Sequence, residues 1–316
     1  MRPLKVGLYL PIREARASGH HADVTRGWRA LAAMVQLAEE IGFDSAWVPD
    51  HLLFRWPGQE SESQGTWEGW SVVAALAATT ARMELGTLVS CTAFRNPGLI
   101  AKMALTVDEI CGGRFILGLG AGYHEPEFRA FGFSYADRAS QFEEALITAT
   151  SLLRTGTCTF CGRHLQMQGC ELRPRGSRNA GPPIMIATSN PSGMAKPRMH
   201  RLLVEHADLW NGWLAFWRSW PDAVPPLREV IDRECVIRGR DPSTLRRTVT
   251  ILAAFPDLDP VPMRSGEEPL IGSPAVMAEA LTGFAREGIE HVQIQINPGT
   301  LAGLRAMAPV LELLDR

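Results

Sequence analysis

The sequence predicts an α/β barrel of eight strand–helix units, and three observations carry that expectation. Eight short apolar runs alternate along the chain with eight amphipathic stretches. Three runs, in DSAWVPDHL, LGTLVSCTAFRNP and GGRFILGLGAGYHEPEFRAFG, end in clusters of polar, aromatic or glycine residues. A buried parallel strand whose chemistry sits on the loop that follows it reads in this way. Composition does not break along the 316 residues, and no Pro- or Ser-rich linker or internal repeat divides them. A single domain over 1–316, closed as a (β/α)8 ring, is therefore expected rather than an open doubly wound sheet.

Strands are expected at 6–11, 45–49, 83–90, 115–120, 183–188, 208–212, 248–255 and 292–297. Between and after them, helical spacing of apolar residues predicts helices over 25–41, 67–80, 98–110, 138–155, 196–206, 225–238, 274–287 and 301–314. Asn96-Pro97 and Ser273-Pro274 each place a capping side chain before a proline suited to a first turn, and Gly42, Gly239 and Gly288 stand where helices should stop. Two excursions break the rhythm. Residues 51–66 are polar and glycine-containing, and 156–182 form an insertion after strand four in which TCTFCGRHLQMQGCELRP alternates and turns at Gly162, as a β-hairpin does. Long loops in a compact domain are often functional, so both are candidate lids or pocket walls.

Composition limits the partners. With 46% hydrophobic and 21% charged residues the chain can bury a large core, and a net charge of -2 without blocks of like charge leaves no footprint for nucleic acid or an acidic membrane surface. The amino terminus has no extended apolar segment with a cleavage site, and the longest apolar stretch, 72–78, is far too short for a bilayer. A cytoplasmic location is expected. Six cysteines in so long a chain are no disulfide framework. Cys158-x-x-Cys161, followed by His164 and Cys170, has a zinc-ligand flavour, but a single knuckle without a second paired set favours the plain hairpin, and no metal is expected.

Gly118-x-Gly120-x-Gly122 follows a strand, where glycine lets backbone approach a flat ring or a phosphate. Tyr123 replaces the third glycine of the dinucleotide fingerprint and no acidic residue ends a suitable next strand, so a Rossmann reading fails. No G-x-S-x-G elbow or H-E-x-x-H helix is present. His51 is the best single catalytic candidate, because a histidine beyond a strand end, beside Asp50, can move a proton near neutral pH. Trp56, Trp67, Trp70, Trp213, Phe216, Trp217 and Trp220 gather near expected C-terminal loops, where aromatic rings wall pockets for planar molecules, although several must serve packing.

The runs AEEIGFDSAWVPDHL, TTARMELGTLVS, FRNPGLIAKMALTVDEICGGRFILGLGAGYHEPEFRAFGF, GPPIMIAT, ADLWNGW and GIEHVQIQINPGTLAGLRAMAPVLELL, in that order over nearly the whole chain, resemble the luciferase-like flavin oxidoreductases. The resemblance implies a TIM barrel and catalysis with a reduced flavin, either FMN, often supplied by a partner flavin reductase, or the deazaflavin F420. The FMN reading implies monooxygenation of a small organic substrate; the F420 reading implies hydride transfer without oxygen; a barrel that binds flavin without turnover is a further alternative. By the same resemblance His51 is the proton-handling residue and Asp50 lies near the ring. Leu88 and Val89 match a non-proline cis peptide that supports the ring, and Gly120, Ala121, Gly122 and Tyr123 match the strand-four wall. Thr188, Ser189 and Asn190 match the phosphate loop, with Trp56, Trp67, Trp213 and Trp217 as substrate-pocket candidates. Where some F420 enzymes carry a catalytic carboxylate this chain has Tyr123, and Glu125 is the nearest acid in sequence. A homodimer is implied.

Overall fold

The computed structural model describes residues 2–16, 23–24, 26–55, 63–188 and 197–316. Eight parallel strands close into a ring: β1 (Lys5–Tyr9), β2 (Ser45–Val48), β3 (Glu84–Thr87), β4 (Phe115–Gly120), β5 (Ile184–Thr188), β6 (Leu209–Trp213), β7 (Arg246–Ala254) and β8 (His291–Asn297). Each strand pairs with the next in sequence, β4 with β5 through Met185 opposite Gly118, and β8 returns to β1 through Val6 opposite Val292. The sheet therefore has no free edge around the ring. Every residue of β4 is buried, which is why this strand reads as an unbroken apolar run rather than an alternating one.

The helices are α1 (Trp28–Glu40), α2 (Gly69–Thr79), α3 (Pro97–Ile110), α4 (Glu125–Phe131), α5 (Arg138–Thr155), α6 (Pro197–His206), α7 (Val224–Ile237), α8 (Pro274–Arg286), α9 (Leu301–Ala306) and α10 (Ala308–Leu314). The expected caps form: Asn96 accepts from the Gly98 amide at 2.8 Å, and Ser273 from the Val276 amide at 3.4 Å. Gly42, Gly239 and Gly288 all take positive φ where helices end. One expected helix, 301–314, is two: the chain breaks at Met307, and Pro309, in the first turn of α10, cannot donate back to the preceding turn. The short α4 was not expected.

The barrel interior is filled rather than open. Low in the ring, the Trp47 indole donates to Ser45 Oγ at 2.7 Å, and Ser45 bonds His291 Nε2 at 2.7 Å. Asn211 donates to Thr248 Oγ1 and to Gln293 Oε1, both at 2.8 Å. Burial pushes the His291 imidazole down to about 3, so it sits there neutral. Trp47, Leu88, Ile116, Met185 and Leu209 also pack together inside the ring, with Tyr9, Val89 and Trp213 partly buried against them. Those last three form the floor of the barrel mouth at the C-terminal ends of the strands.

The insertion is a hairpin, Thr157–Cys161 against Gln166–Glu171. It leaves the C-terminal end of α5 and runs back along that helix, so that its tip meets the first turns of α5. There the Glu144 carboxylate accepts the amides of Arg163, His164 and Leu165 at 2.7 to 2.9 Å, and His164 bonds Ser140 at 2.9 Å. Met167 and Cys170 face Gly98 at the start of α3. The connection begins at the end of the barrel opposite the mouth, but the tip reaches back to the starts of α5 and α3 on the outside of the helical layer; among the described residues no hydrogen bond or ring contact joins the hairpin to the mouth. Cys158 lies across the hairpin from Cys170, and no cluster of three or more metal-ligating side chains occurs among the described residues.

Candidate active site

The loop after β2 carries Asp50 and His51, and the two side chains go opposite ways. Asp50, 4% exposed, receives Arg95 through both guanidinium nitrogens at 2.7 and 3.0 Å, Ser90 Oγ at 3.1 Å and the Cys91 amide at 3.0 Å. Trp70 in turn donates to Ser90 Oγ at 2.9 Å, and Arg95 also bonds Glu68, the cap of α2. This carboxylate holds the loop after β3.

His51 points into the mouth. Its Nδ1 lies 3.0 Å from Glu127 Oε1, while Glu127 Oε2 accepts the Leu52 amide at 2.9 Å. Glu127 is 1% exposed, on α4 beside the fully buried Phe128. Edge-on contacts to Phe54 at 5.3 Å and Tyr123 at 5.5 Å fix the plane of the His51 ring. His124 stacks on Phe54 at 4.2 Å and accepts the Arg55 amide at Nε2, and burial lowers its pKa from the ordinary histidine value. Glu125, nearer in sequence to the position where a catalytic acid was sought, instead pairs with Arg129 on the surface at 2.8 Å. The carboxylate of the site is Glu127. Its spacing from His51, 76 residues away, carries no local signal; only its place between Pro126 and Phe128, on a short helix directly after the glycine wall, hinted at it.

The floor and walls come from β1, β3, β4 and β6. The Leu88–Val89 peptide is cis; Leu88 turns into the barrel and Val89 out toward the mouth, beside Tyr9 and Trp213, whose rings meet edge-on at 5.6 Å. The glycines of β4 are not an open cradle. A side chain on Gly118 would strike the Thr87 carbonyl, and an ideal Cβ on Gly120 would lie 2.6 Å from Val89 Cγ2. Gly122 has φ +76°, and its Cβ would meet Phe128 and Cys91 at 2.5 and 2.7 Å. These positions are glycine because neighbouring protein occupies the space. Burial pushes the Cys91 thiol up to about 12, so it is no nucleophile.

A family model described as luciferase-like monooxygenase matches residues 4–259. The chain belongs to that family. Among curated relatives of this luciferase-like chain, pyrimidine monooxygenase RutA of Stutzerimonas stutzeri is 31% identical over 66% of the chain and 56% of its own length. F420-dependent hydroxymycolic acid dehydrogenase of Mycobacterium tuberculosis is 29% identical over 72% of the chain and 59% of its own length. The chain thus spans little more than half the length of these curated relatives. A solved F420-dependent secondary alcohol dehydrogenase, in complex with an F420-acetone adduct, superposes with a TM-score of 0.75 over 99% of each chain at 18% identity, which speaks to the fold.

In this luciferase-like barrel the expected residues divide. His51, Leu88, Val89, Gly120, Gly122, Tyr123 and Trp213 gather at the mouth, and Asp50 backs them. Ala121 is half-buried and packs against the main core, and Thr188 is buried, its hydroxyl accepting the Trp210 indole at 2.8 Å. Trp67 is exposed at the rim, its indole donating to the Arg26 carbonyl at 2.7 Å. Trp217, on the loop after β6, is partly buried against the main core, and its indole N–H, like that of Trp213, has no partner among the described residues. Trp56, Ser189 and Asn190 lie outside the described residues. No helix among the described residues is long and apolar enough to cross a membrane.

Proposed function

We propose that this chain is a flavin-dependent oxidoreductase, a monooxygenase that uses reduced FMN to oxidise a small organic substrate at the barrel mouth. The observation that carries the reading is the apolar platform of Tyr9, Val89 and Trp213 with the His51 imidazole at the same C-terminal face. A planar ring fits this platform, and the buried Trp213 indole N–H, without a partner among the described residues, is a donor for one of its polar edges. When bound, the flavin supplies electrons and, as FMN, reactivity toward oxygen.

The chain's own residues bind, orient and move protons. Val89 and Trp213 support the ring, with Leu88 beneath and Asp50 holding the loop that carries them. Gly120, Ala121, Gly122 and Tyr123 form the wall beside it, Thr188, Ser189 and Asn190 bind its phosphate, and Trp56 and Trp67 border substrate. His51 exchanges a proton with substrate through Nε2. A cytoplasmic homodimer fed by a flavin reductase fits this role. The relative from Mycobacterium tuberculosis favours a second reading, in which the same platform binds F420 and substrate exchanges a hydride without oxygen.

Titration with FMN and with F420, each oxidised and reduced, decides between the two. Tight binding of reduced FMN together with substrate-dependent oxygen uptake is expected. Binding of F420 alone transfers the case to the hydride reading, and binding of neither ends both. His51→Ala should lower turnover roughly a hundredfold or more, the usual worth of a general acid or base, with a much smaller change in flavin affinity.

A further inference from the structure

We propose that Glu127 is a positioning residue that locks the His51 imidazole in the tautomer protonated at Nδ1, so that Nε2 offers a lone pair to a substrate bearing an O–H or N–H. The substrate part of this inference rests on the mouth being the active site; the tautomer part stands on the hydrogen bonds alone.

A backbone amide can only donate, so Glu127 Oε2 is the acceptor of the Leu52 N–H at 2.9 Å. Its other oxygen faces His51 Nδ1 at 3.0 Å. The Leu52 N–H is the one fixed donor to this carboxylate; a carboxylate accepts only, so the proposed pairing with Oε1 puts the imidazole proton on Nδ1. The side chain of Glu127 is 2% exposed against 20% for His51, so the acid is held in the wall while the imidazole reaches the mouth. Phe54 and Tyr123, both edge-on to the ring at interplanar angles of 84° and 88°, bar rotation out of this plane. Nε2 has no hydrogen bond among the described residues, whereas the neighbouring His124 has already engaged its Nε2 with the Arg55 amide. Of the two imidazoles His51 is the more exposed.

The tautomer decides what that nitrogen does. With the proton on Nδ1, Nε2 accepts a hydrogen bond from a substrate X–H. When the proton moves, the X–H bond breaks as Nε2–H forms, the electron pair stays on X, and Glu127 faces the resulting imidazolium. With the proton on Nε2 the ring would present a donor to a donor. A substrate whose reacting heteroatom carries hydrogen is accordingly favoured over its methylated analogue.

Imidazole 15N resonances at mildly alkaline pH test this without turnover, with His51 assigned by difference from His51→Gln. Expected are a pyrrole-type Nδ1 and a pyridine-type Nε2 in the unaltered protein, loss of that distinction in Glu127→Gln, and its partial return in Glu127→Asp. Phenol should shift Nε2, and anisole, which lacks the O–H, should not. An Nε2-protonated His51 in the unaltered protein, or a tautomer unmoved in Glu127→Gln, overturns the positioning role, and the first measurement needs only the assignment variant, His51→Gln, to fold. Equal responses to phenol and anisole, or none to either, overturn the substrate class. Failure of both flavins to bind while the tautomer is as expected removes the proposed function and leaves Glu127's role standing.

Discussion

Val89 occupies the space that a side chain at Gly120 would need: an ideal Cβ there lies 2.6 Å from Val89 Cγ2. Gly120 ends β4 and Val89 lies in the loop after the neighbouring β3, so Gly120→Ala must displace Val89. Overpacking of this kind costs about 1–3 kcal/mol. Urea unfolding should show that loss in the single variant, and most of it should return when Val89→Ala is added, as expected for residues in direct contact. Equal losses from Gly120→Ala with Val89 and with Ala at 89 would show that the contact does not limit the site.

Asp50 offers a contrasting test, because it acts from behind the platform. Asp50→Asn leaves Arg95 with a weaker partner in a largely buried position. Removing one member of a buried pair costs about 3–5 kcal/mol, and the figure here should fall nearer about 2–4 kcal/mol because Glu68 still meets the guanidinium. Flavin affinity should fall along with thermal stability, since Ser90 and Cys91 lose their anchor. A variant with full stability but lost flavin binding would return Asp50 to direct contact with the ring.

The strands of this barrel were legible because burial on both faces writes an unbroken apolar run, as in Phe115–Gly120, and because glycine and proline mark the ends of the helices. What failed was anything set by contact between distant residues. Glu127 meets His51 across 76 residues, on a helix too short for periodicity to appear. Trp213 and Trp217 look alike in sequence, yet they pack against different clusters. Asp50 and His51 are adjacent, and backbone geometry sends their side chains to opposite tasks. The hairpin was recognisable as a hairpin, but which end of the barrel it left depended on its following a helix rather than a strand.

That placement of the hairpin yields its own expectation. Glu144→Ala removes the acceptor shared by three amides at the hairpin tip. Hydrogen exchange at Arg163, His164 and Leu165 should accelerate markedly, while flavin affinity stays within about twofold, a change worth less than about 0.5 kcal/mol. A large loss of flavin or substrate affinity would restore the insertion as part of the pocket.

Acid should weaken the fold before its carboxylates titrate. Burial lowers the pKa of His124, His200 and His206, and takes His291 from 6.5 down to about 3. For each, the unfolded chain binds a proton that the folded chain refuses, so the stabilisation is fully present above about pH 6.5 and is lost as pH falls through the window toward the folded value. For His291 that window reaches from 6.5 to about 3, and across its middle a single such histidine costs at most about 1.4 kcal/mol per pH unit. Urea midpoints measured at constant ionic strength should fall steadily between pH 6.5 and 5, and His291→Gln, though less stable at neutral pH, should show a shallower decline. A midpoint flat down to about pH 4.5, followed by a sharp drop, would show that the buried histidines do not set the acid sensitivity.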